Sequence, residues 1–146
     1  MSRTNKPAPN AIPVVVTQHI DRKRIACLLV GAFEGGSNYW IERQDFEKTK
    51  PAKPVAVLDA DDGADAKVWP LYDYPLTEGG EVSFYADNGK NERVQVCLNV
   101  ETLTKGLQIM AEKYPRHFGD FISQGDDATT ADVFVQCVAF GEIVYG

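Results

Sequence analysis

The chain has few of the residues that disulfides, zinc sites and histidine-based catalysis require. Its 146 residues include three cysteines, Cys27, Cys97 and Cys137, which lie far apart and form no CxxC pair. An odd number of widely spaced cysteines argues against both a disulfide framework and a zinc site. Only two histidines are present, His19 and His117, too far apart in the sequence to predict a metal pair. We therefore expect buried free thiols in a reducing compartment, and no metal or cofactor.

Long apolar runs and glycine-rich nucleotide loops are also missing. No apolar run approaches the roughly 20 residues of a transmembrane helix, and the N-terminus lacks the apolar core of a signal peptide. Neither GxxxxGK[ST] nor GxGxxG occurs, and Ser37 is not part of a GxSxG elbow. These absences predict a soluble cytoplasmic protein that does not bind membranes, and they argue against a serine hydrolase.

The chain has fewer basic residues than acidic ones. The 15 lysines and arginines face 21 acidic residues, which gives a net charge of -6 and a pI of about 4.9. Such a surface disfavours nonspecific binding to nucleic acid phosphates and suits a basic partner. The hydrophobic fraction of 44% is ordinary for a globular protein. We expect a disordered, proline-containing tail over residues 1–13 and a single domain over residues 14–146.

The hydrophobic pattern predicts an α+β fold, a small and mainly antiparallel sheet covered by about three helices. Apolar residues alternate with polar ones on both sides of Asn88-Gly89, from Val82 to Ala86 and from Val94 to Val100, which predicts a hairpin. The C-terminal run Val133–Tyr145 is apolar nearly all round and is predicted to be the central, buried helix. Near the N-terminus, the sequence predicts an extended entry or short strand at Val14–Val16, followed by a helix that is capped by Thr17 or Asp21 and reaches Phe33. After the hairpin, it predicts a helix from Glu101 to Tyr114, capped by Asn99 or Thr102, and a helical turn from His117 to Ile122.

The middle of the chain gives a strand, an acidic turn and an aromatic edge. Val55–Leu58 predicts a strand, and Asp59–Asp65 an exposed turn. The turn departs from a calcium loop because its glycine comes one place early and Pro70 stands where the bidentate glutamate belongs. The aromatic, proline-marked segment Val68–Tyr74 suits an edge strand, from which we expect a homodimer or a larger ring.

A double glycine at the end of the first predicted helix is the first candidate site. Gly35-Gly36 predicts a helix C-cap with one residue in the left-handed region, which would redirect the chain sharply. Ser37 and Asn38 add short donors and acceptors there, and Tyr39 and Trp40 add flat surfaces for packing or stacking. A purely structural corner is the alternative interpretation.

A second polar set interrupts the apolar C-terminal run. Gln136 lies among valine, phenylalanine and cysteine, and a buried amide is costly unless its hydrogen bonds are met. Asp132 precedes it by one helical turn, and Thr129 is a possible cap partner. If the two helices pack in antiparallel sense, both polar sets fall at the same end and form one pocket; otherwise they are ordinary caps and a satisfied core glutamine. The predicted binding residues are Glu34, Gly35, Gly36, Ser37, Asn38, Tyr39, Trp40, Thr130, Asp132 and Gln136.

Two sequence signatures resemble those of a group of small, uncharacterised proteins encoded by tailed phages and prophages. They are EGGSNYW at Glu34–Trp40, the more specific one, and the pair TADVF at Thr130–Phe134 with FGEIVYG at Phe140–Gly146. The resemblance spans the first helix to the C-terminus and leaves out Met1–Pro13. It brings no established activity with it. It implies a setting, a bacterial host cytoplasm during infection, where small acidic phage proteins often block host enzymes or immune systems.

These observations favour a phage-encoded, non-enzymatic binding protein that counteracts a host defence component or sequesters a small signalling molecule. The expected partner is accordingly a host protein or a small-molecule signal. A small enzyme or accessory factor of phage nucleotide or DNA metabolism is the alternative, with Glu34, Asp132 or His117 as acid or base. A structural or scaffolding role in the virion is the third possibility.

Overall fold

The computed structural model describes residues 8–41, 47–50, 74–77 and 79–146. The predicted strand at Val55–Leu58, the acidic turn at Asp59–Asp65 and the aromatic segment up to residue 73 lie outside these ranges. Tyr74 opens a short 3-10 turn instead of belonging to a strand. The regular elements, in chain order, are helix α1 (Arg22–Gly31), a π-helical turn (Ala32–Gly36), strand β1 (Glu47–Lys50), the 3-10 turn (Tyr74–Leu76), strands β2 (Glu81–Asp87) and β3 (Arg93–Leu98), and helices α2 (Val100–Lys113), α3 (Pro115–Ile122) and α4 (Ala128–Phe140).

The α+β prediction is confirmed. Three antiparallel strands in the order β1-β2-β3 form the sheet of the described residues, and α-helices pack around it. In the hairpin, Val82 pairs with Leu98 and Phe84 with Val96, and these four side chains are buried in the core. None of the helices in the described ranges is long and apolar enough to cross a membrane.

The hairpin turn is longer than its Asn-Gly pair predicts. Residues 88–92 form a five-residue loop closed by a 2.9 Å bond from the Asn88 amide to the Glu92 carbonyl oxygen. Gly89 there has a φ of 84°, a left-handed conformation that glycine adopts without steric cost. Val100 was predicted to continue the strand but is the first residue of α2, because Asn99 caps that helix immediately before it.

Local capping explains where the first helices begin. Of the two predicted caps for α1, Asp21 is the one used, since its carboxylate accepts a 2.8 Å bond from the Lys23 amide. At α2 both predicted residues act together: the Asn99 side chain accepts from the Thr102 amide at 2.9 Å, and the Thr102 hydroxyl accepts from the Asn99 amide at 3.0 Å. Pro115 ends α2 as predicted and also opens α3, where a missing N–H costs nothing.

The C-terminal helix α4 is central, as predicted. It contacts α1, the π-helical turn, α2, α3 and β3, and its residues 130–137 are all buried. The prediction that it continues to Tyr145 is wrong. Gly141 adopts a φ of 73° and ends the helix at Phe140, so residues 143–146 turn back along it.

From residue 8, where the described part of the chain begins, to the start of α1, no strand is formed. Val14, Val15 and Val16 lie in irregular structure and are 75%, 94% and 68% exposed. Their β-branched side chains favour an extended strand. Among the described residues, however, none pairs with their backbone. The prediction that all three thiols are buried holds for Cys137 alone. Cys97 on β3 is half-buried, and Cys27 faces solvent between the buried residues Ala26 and Leu28 of α1.

Candidate functional site

The glycine corner forms without the predicted left-handed residue. Helix α1 widens into the π-helical turn, in which the Ser37 amide bonds the Ala32 carbonyl oxygen at 2.7 Å, and neither Gly35 nor Gly36 has a positive φ. Gly36 is needed for a different reason. A Cβ at this position would lie 2.3 Å from the Ala128 carbonyl oxygen, so only glycine lets the turn approach α4 this closely.

The close approach places the end of the α1 segment beside the start of α4. Gly31 faces Ala131 and Gly36 faces Ala128, so the α1 segment and helix α4 run in opposite directions. The two polar sets therefore meet at the same end of the pair.

Asp132 is the centre of the arrangement. Its Oδ1 accepts bonds from the Ser37 hydroxyl and from Trp40 Nε1, both at 2.7 Å. Its Oδ2 accepts from the Tyr39 hydroxyl at 2.6 Å and from Gln136 Nε2 at 3.1 Å. A carboxylate offers about four lone-pair positions, so these four donors saturate it without a cation.

Gln136 ties the C-terminal residues to the same carboxylate. Its Oε1 accepts from the amides of Val144 and Tyr145 at 2.8 and 2.7 Å, while its Nε2 also donates to the Tyr145 carbonyl oxygen at 3.0 Å. The side chain is completely buried and uses both ends of its amide. The sequence-based expectation that its hydrogen bonds must be met inside the protein agrees with this arrangement.

Aromatic rings close the apolar side of this network. Trp40 stacks on Tyr145 at 10° between ring planes and 5.6 Å between centroids. Phe84 of β2 and Phe140 of α4 pack against the same indole at 6.3 and 5.4 Å between centroids. The indole of Trp40 therefore joins the sheet, the central helix and the C-terminal segment, with its one N–H committed to Asp132.

The predicted binding residues divide into an interior and a surface. Ser37, Asp132 and Gln136 are buried, and we call them together with Tyr39 and Trp40 the carboxylate network. Glu34, Gly35 and Asn38 are exposed, and with the exposed ring of Tyr39 they form what we call the corner rim. Within the described ranges, the Asn38 side chain shares no hydrogen-bond partner with Gln136.

Thr130 belongs to the helix cap and not to the carboxylate network. The α4 N-cap is Asp127, whose carboxylate accepts from the Thr130 amide at 3.0 Å and from its hydroxyl at 3.3 Å. These hydrogen bonds hold the pKa of Asp127 below its usual range, and the bond from the Thr130 backbone amide has the largest effect. Thr129, the possible cap partner in the sequence, is exposed.

The network changes the ionisation of Tyr39. Burial of the hydroxyl, followed by its bond to Asp132 and the charge of that carboxylate, raises the pKa of Tyr39 from 10.0 to about 12. The phenol is therefore neutral at physiological pH and remains a donor to Asp132.

The geometry makes Asp132 a poor acid or base. A general base needs a lone pair within reach of a substrate proton, and all four positions here are taken by protein donors. His117 lies on α3 outside the carboxylate network, and Glu34 lies on the surface. The described residues contain no group of three histidine, cysteine or acidic side chains able to hold a metal ion.

Sequence reasoning missed the contribution of the C-terminal segment. Tyr145 supplies a backbone acceptor and a stacked ring, and its hydroxyl donates to the Asp87 carbonyl oxygen at 2.6 Å. Tyr114 accepts a 2.8 Å bond from the Ile143 amide. The signal that could have indicated this fold-back is Gly141, since a glycine at the end of an apolar run is a typical helix C-cap.

The fold and site define a small α+β protein with a buried, saturated carboxylate network beneath an exposed rim. No protein-family model, curated protein or solved structure matches the chain.

Proposed function

We propose that this is a phage-encoded, non-enzymatic binding protein that recognises a host protein, a component of a defence system, through the corner rim. The proposal that this protein binds a partner rests on Tyr39, whose side chain is both exposed and held in place. Its side chain is 58% exposed, while its hydroxyl is held 2.6 Å from Asp132 and lies 3.3 Å from Gln136 Nε2.

An aromatic side chain that is exposed and already immobilised suits binding. Ordering a mobile side chain on association costs roughly 0.5–1.5 kcal/mol, and a ring fixed beforehand avoids much of that cost. Tyrosine is also among the residues that dominate binding energy at protein interfaces. Here the buried carboxylate network does the fixing and the exposed ring is free to make the contact.

The rest of the rim favours a protein over a small molecule. Glu34, Gly35 and Asn38 are exposed and lie within five residues of Tyr39 in the chain, and they add a carboxylate, backbone groups and an amide, a mixture typical of protein recognition surfaces. A small ligand seeking the interior would have to displace donors that Asp132 and Gln136 already use. We therefore place sequestration of a small signal second.

The phage setting and the host cytoplasm enter the proposal from the resemblance of the two signatures, and the acidic net charge of -6 supports a partner with a basic surface. Because the Asp132 carboxylate already accepts four hydrogen bonds from the protein, the surface of the corner rim is left for a partner, which suits a host protein.

Plating efficiency tests the function. Phage lacking this gene would be plated on hosts with and without individual defence systems, each host supplied with the wild-type protein or a variant. We expect the wild type to restore plating on at least one defended host, and Tyr39→Ala and Asn38→Ala to reduce the rescue at least tenfold. Asn38→Ala matters because its side chain is exposed and takes no part in the carboxylate network.

Tyr85→Ala is the matched control. Tyr85 is also a partly exposed tyrosine, 38% accessible on β2 and packed under Arg93 at 4.7 Å from the ring centroid. Its loss should leave rescue unchanged. Equal plating on every defended host with and without the wild-type protein would refute the function, and equal loss with Tyr85→Ala would refute the assignment to the rim.

A further inference from the structure

The C-terminal segment Glu142–Gly146 lies against the protein without being part of a helix or a strand. Each of its residues is half-buried or exposed, whereas residues 130–137 of α4 are all buried. Among the described residues, no backbone–backbone hydrogen bond joins this segment to another element. Its attachment to the described fold therefore depends on side chains.

Two side chains hold the backbone of the segment. The Tyr114 hydroxyl accepts from the Ile143 amide at 2.8 Å. Gln136 Oε1 accepts from the amides of Val144 and Tyr145 at 2.8 and 2.7 Å. If the segment moved away, water would reach both partners of each bond, so these bonds would be exchanged for bonds to water and not left unmade. Bonds of this kind open at a lower free energy than the hydrogen bonds of a buried helix.

Gly141 is placed to act as the hinge of such an opening. It ends α4 with a φ of 73°, and there is open space where a Cβ would be. The last bond of α4, from the Gly141 amide to the Cys137 carbonyl oxygen at 3.0 Å, comes before the hinge and survives a rotation there. Hinge motions are concentrated in a few residues at the ends of elements, and glycine absorbs the change in backbone angles without steric cost. The segment can therefore swing out while α4 keeps its full length.

Opening would change the hydrogen bonds of Tyr39. Gln136 Nε2 carries two hydrogens and has three acceptors, Asp132 Oδ2 at 3.1 Å, the Tyr39 hydroxyl at 3.3 Å and the Tyr145 carbonyl oxygen at 3.0 Å. Departure of the Tyr145 carbonyl leaves two acceptors for two hydrogens. The bond from Gln136 to the Tyr39 hydroxyl is then strengthened.

The segment also covers the Tyr39 side chain. A Cβ on Gly146 would lie 3.2 Å from the Tyr39 hydroxyl, and the rings of Tyr39 and Tyr145 meet edge to face with 6.4 Å between centroids. Burial is the main cause of the raised pKa of Tyr39, whereas the bond from Gln136 lowers that pKa. Opening reduces the first effect and increases the second, and both changes favour the ionised phenol.

We propose that the C-terminal segment is a latch that opens about Gly141 while the helices and the described sheet stay folded, and that its closure holds the Tyr39 ring in place. The two events share Gln136, so they are linked in both directions: whatever fixes Tyr39 in its closed position also favours closure of the segment. A partner bound at the corner rim would act in this way. The latch is a property of the free protein and does not depend on the proposed function.

Hydrogen exchange of the wild-type protein at increasing urea concentrations tests the opening. We expect the amides of Ile143, Val144 and Tyr145 to exchange roughly a hundredfold faster than those of residues 131–137, with little dependence on urea. A weak urea dependence means that the opening exposes little surface. If the three amides exchange at the same free energy and with the same urea dependence as those of α4, the segment opens only when the whole protein unfolds and the proposal is overturned.

A matched pair of variants at Val144 tests the link to Tyr39. Val144→Pro removes the amide that donates to Gln136, while Val144→Ala keeps that amide and shortens the side chain. Tetranitromethane nitrates the ionised form of tyrosine, and peptide mass spectrometry resolves each site. We expect nitration of Tyr39 to be about threefold faster or more in Val144→Pro and unchanged in Val144→Ala. Tyr85, a partly exposed tyrosine of β2, should react equally in all of these proteins.

Tyr114→Phe is a second route to the open form, since it removes the acceptor of the Ile143 amide and leaves the carboxylate network intact. It should also speed up nitration of Tyr39, in protein that circular dichroism shows to be folded, and it decides the outcome if Val144→Pro does not fold. Equal nitration of Tyr39 in the wild type and in the folded variants would overturn the link. So would a parallel rise at Tyr85, which would show general loosening of the fold.

Discussion

Replacing Asp132 with asparagine removes one acceptor from the centre of the carboxylate network while preserving its shape. The remaining oxygen can still accept from Ser37 and Trp40, which lie 2.7 Å from Oδ1. The new amide nitrogen then takes the place of Oδ2 and points at Gln136 Nε2, itself a donor. Tyr39 can adapt, because its hydroxyl can turn and accept.

Gln136 cannot relieve the conflict by turning its amide over. Its Oε1 already accepts the amides of Val144 and Tyr145, and both bonds would be lost in the flipped orientation. Bonds to a charged group contribute about 1.5–3 kcal/mol and neutral ones about 1, and a stranded buried donor costs about 1–3 kcal/mol. We therefore expect Asp132→Asn to lower the free energy of unfolding by about 3 kcal/mol, which corresponds to a fall in Tm of roughly 10 °C for a chain of this size.

Urea and thermal unfolding monitored by tryptophan fluorescence measure this loss, and Trp40 reports on the site directly. Asp120→Asn is the control, since Asp120 lies exposed on α3 and its replacement should change stability by no more than about 0.5 kcal/mol. If Asp132→Asn stays within about 1 kcal/mol of the wild type, the four donors do not hold the fold together and the reasoning fails.

Three further predictions concern glycine packing, alkaline stability and thiol reactivity. Gly36→Ala should lower the free energy of unfolding by at least about 2 kcal/mol, because its Cβ would lie 2.3 Å from a backbone oxygen. Gly35→Ala, with open space around its Cβ, should leave stability in chemical denaturation unchanged or raise it. Similar losses for both variants would contradict the packing argument. Burial raises the pKa of Cys137 from 9.0 to about 12, and burial with the Asp132 bond raises that of Tyr39 from 10.0 to about 12. Both groups lose their proton more readily when unfolded, so stability should be complete below about pH 9 and fall between pH 9 and 12; a flat unfolding profile across that window would refute this. With a thiol-specific chromogenic reagent at neutral pH, exposed Cys27 should react in the native protein and buried Cys137 only after unfolding, and rapid native labelling of Cys137 would show that its burial is wrong.

Much of the fold was predictable because its signals are local. The alternation around Asn88-Gly89 indicates the hairpin, and the Asn99 cap marks the start of α2 within one turn of chain. The predictions that failed depend on packing instead. The double glycine looks like a left-handed cap, yet Gly36 serves a close contact with α4, and no local pattern reveals which neighbour a glycine approaches.

The sequence indicated most residues of the candidate site, but it did not indicate their hydrogen-bond partners or which of them are exposed. The structure brings Ser37, Tyr39, Trp40, Asp132 and Gln136 into contact. The sequence predicted one pocket for the two polar sets only if their helices pack in antiparallel sense, with ordinary caps as the alternative. It did not show that they saturate one another and leave only the corner rim exposed. The direction of each side chain depends on the distance and angle between α1 and α4, which are tertiary quantities.

The sequence by itself determined the hairpin, the pairs of residues from which the caps of α1 and α2 come, and the need of a buried Gln136 for partners, because propensity, periodicity and desolvation act over a few residues. Only the tertiary structure decided what those partners are. Ser37 and Asp132 are 95 positions apart in the chain, and they meet because glycine allows the π-helical turn to approach α4 and because Gly141 returns the C-terminal segment to Gln136. Contacts at that separation are set by how whole elements pack, which no short stretch of sequence encodes alone.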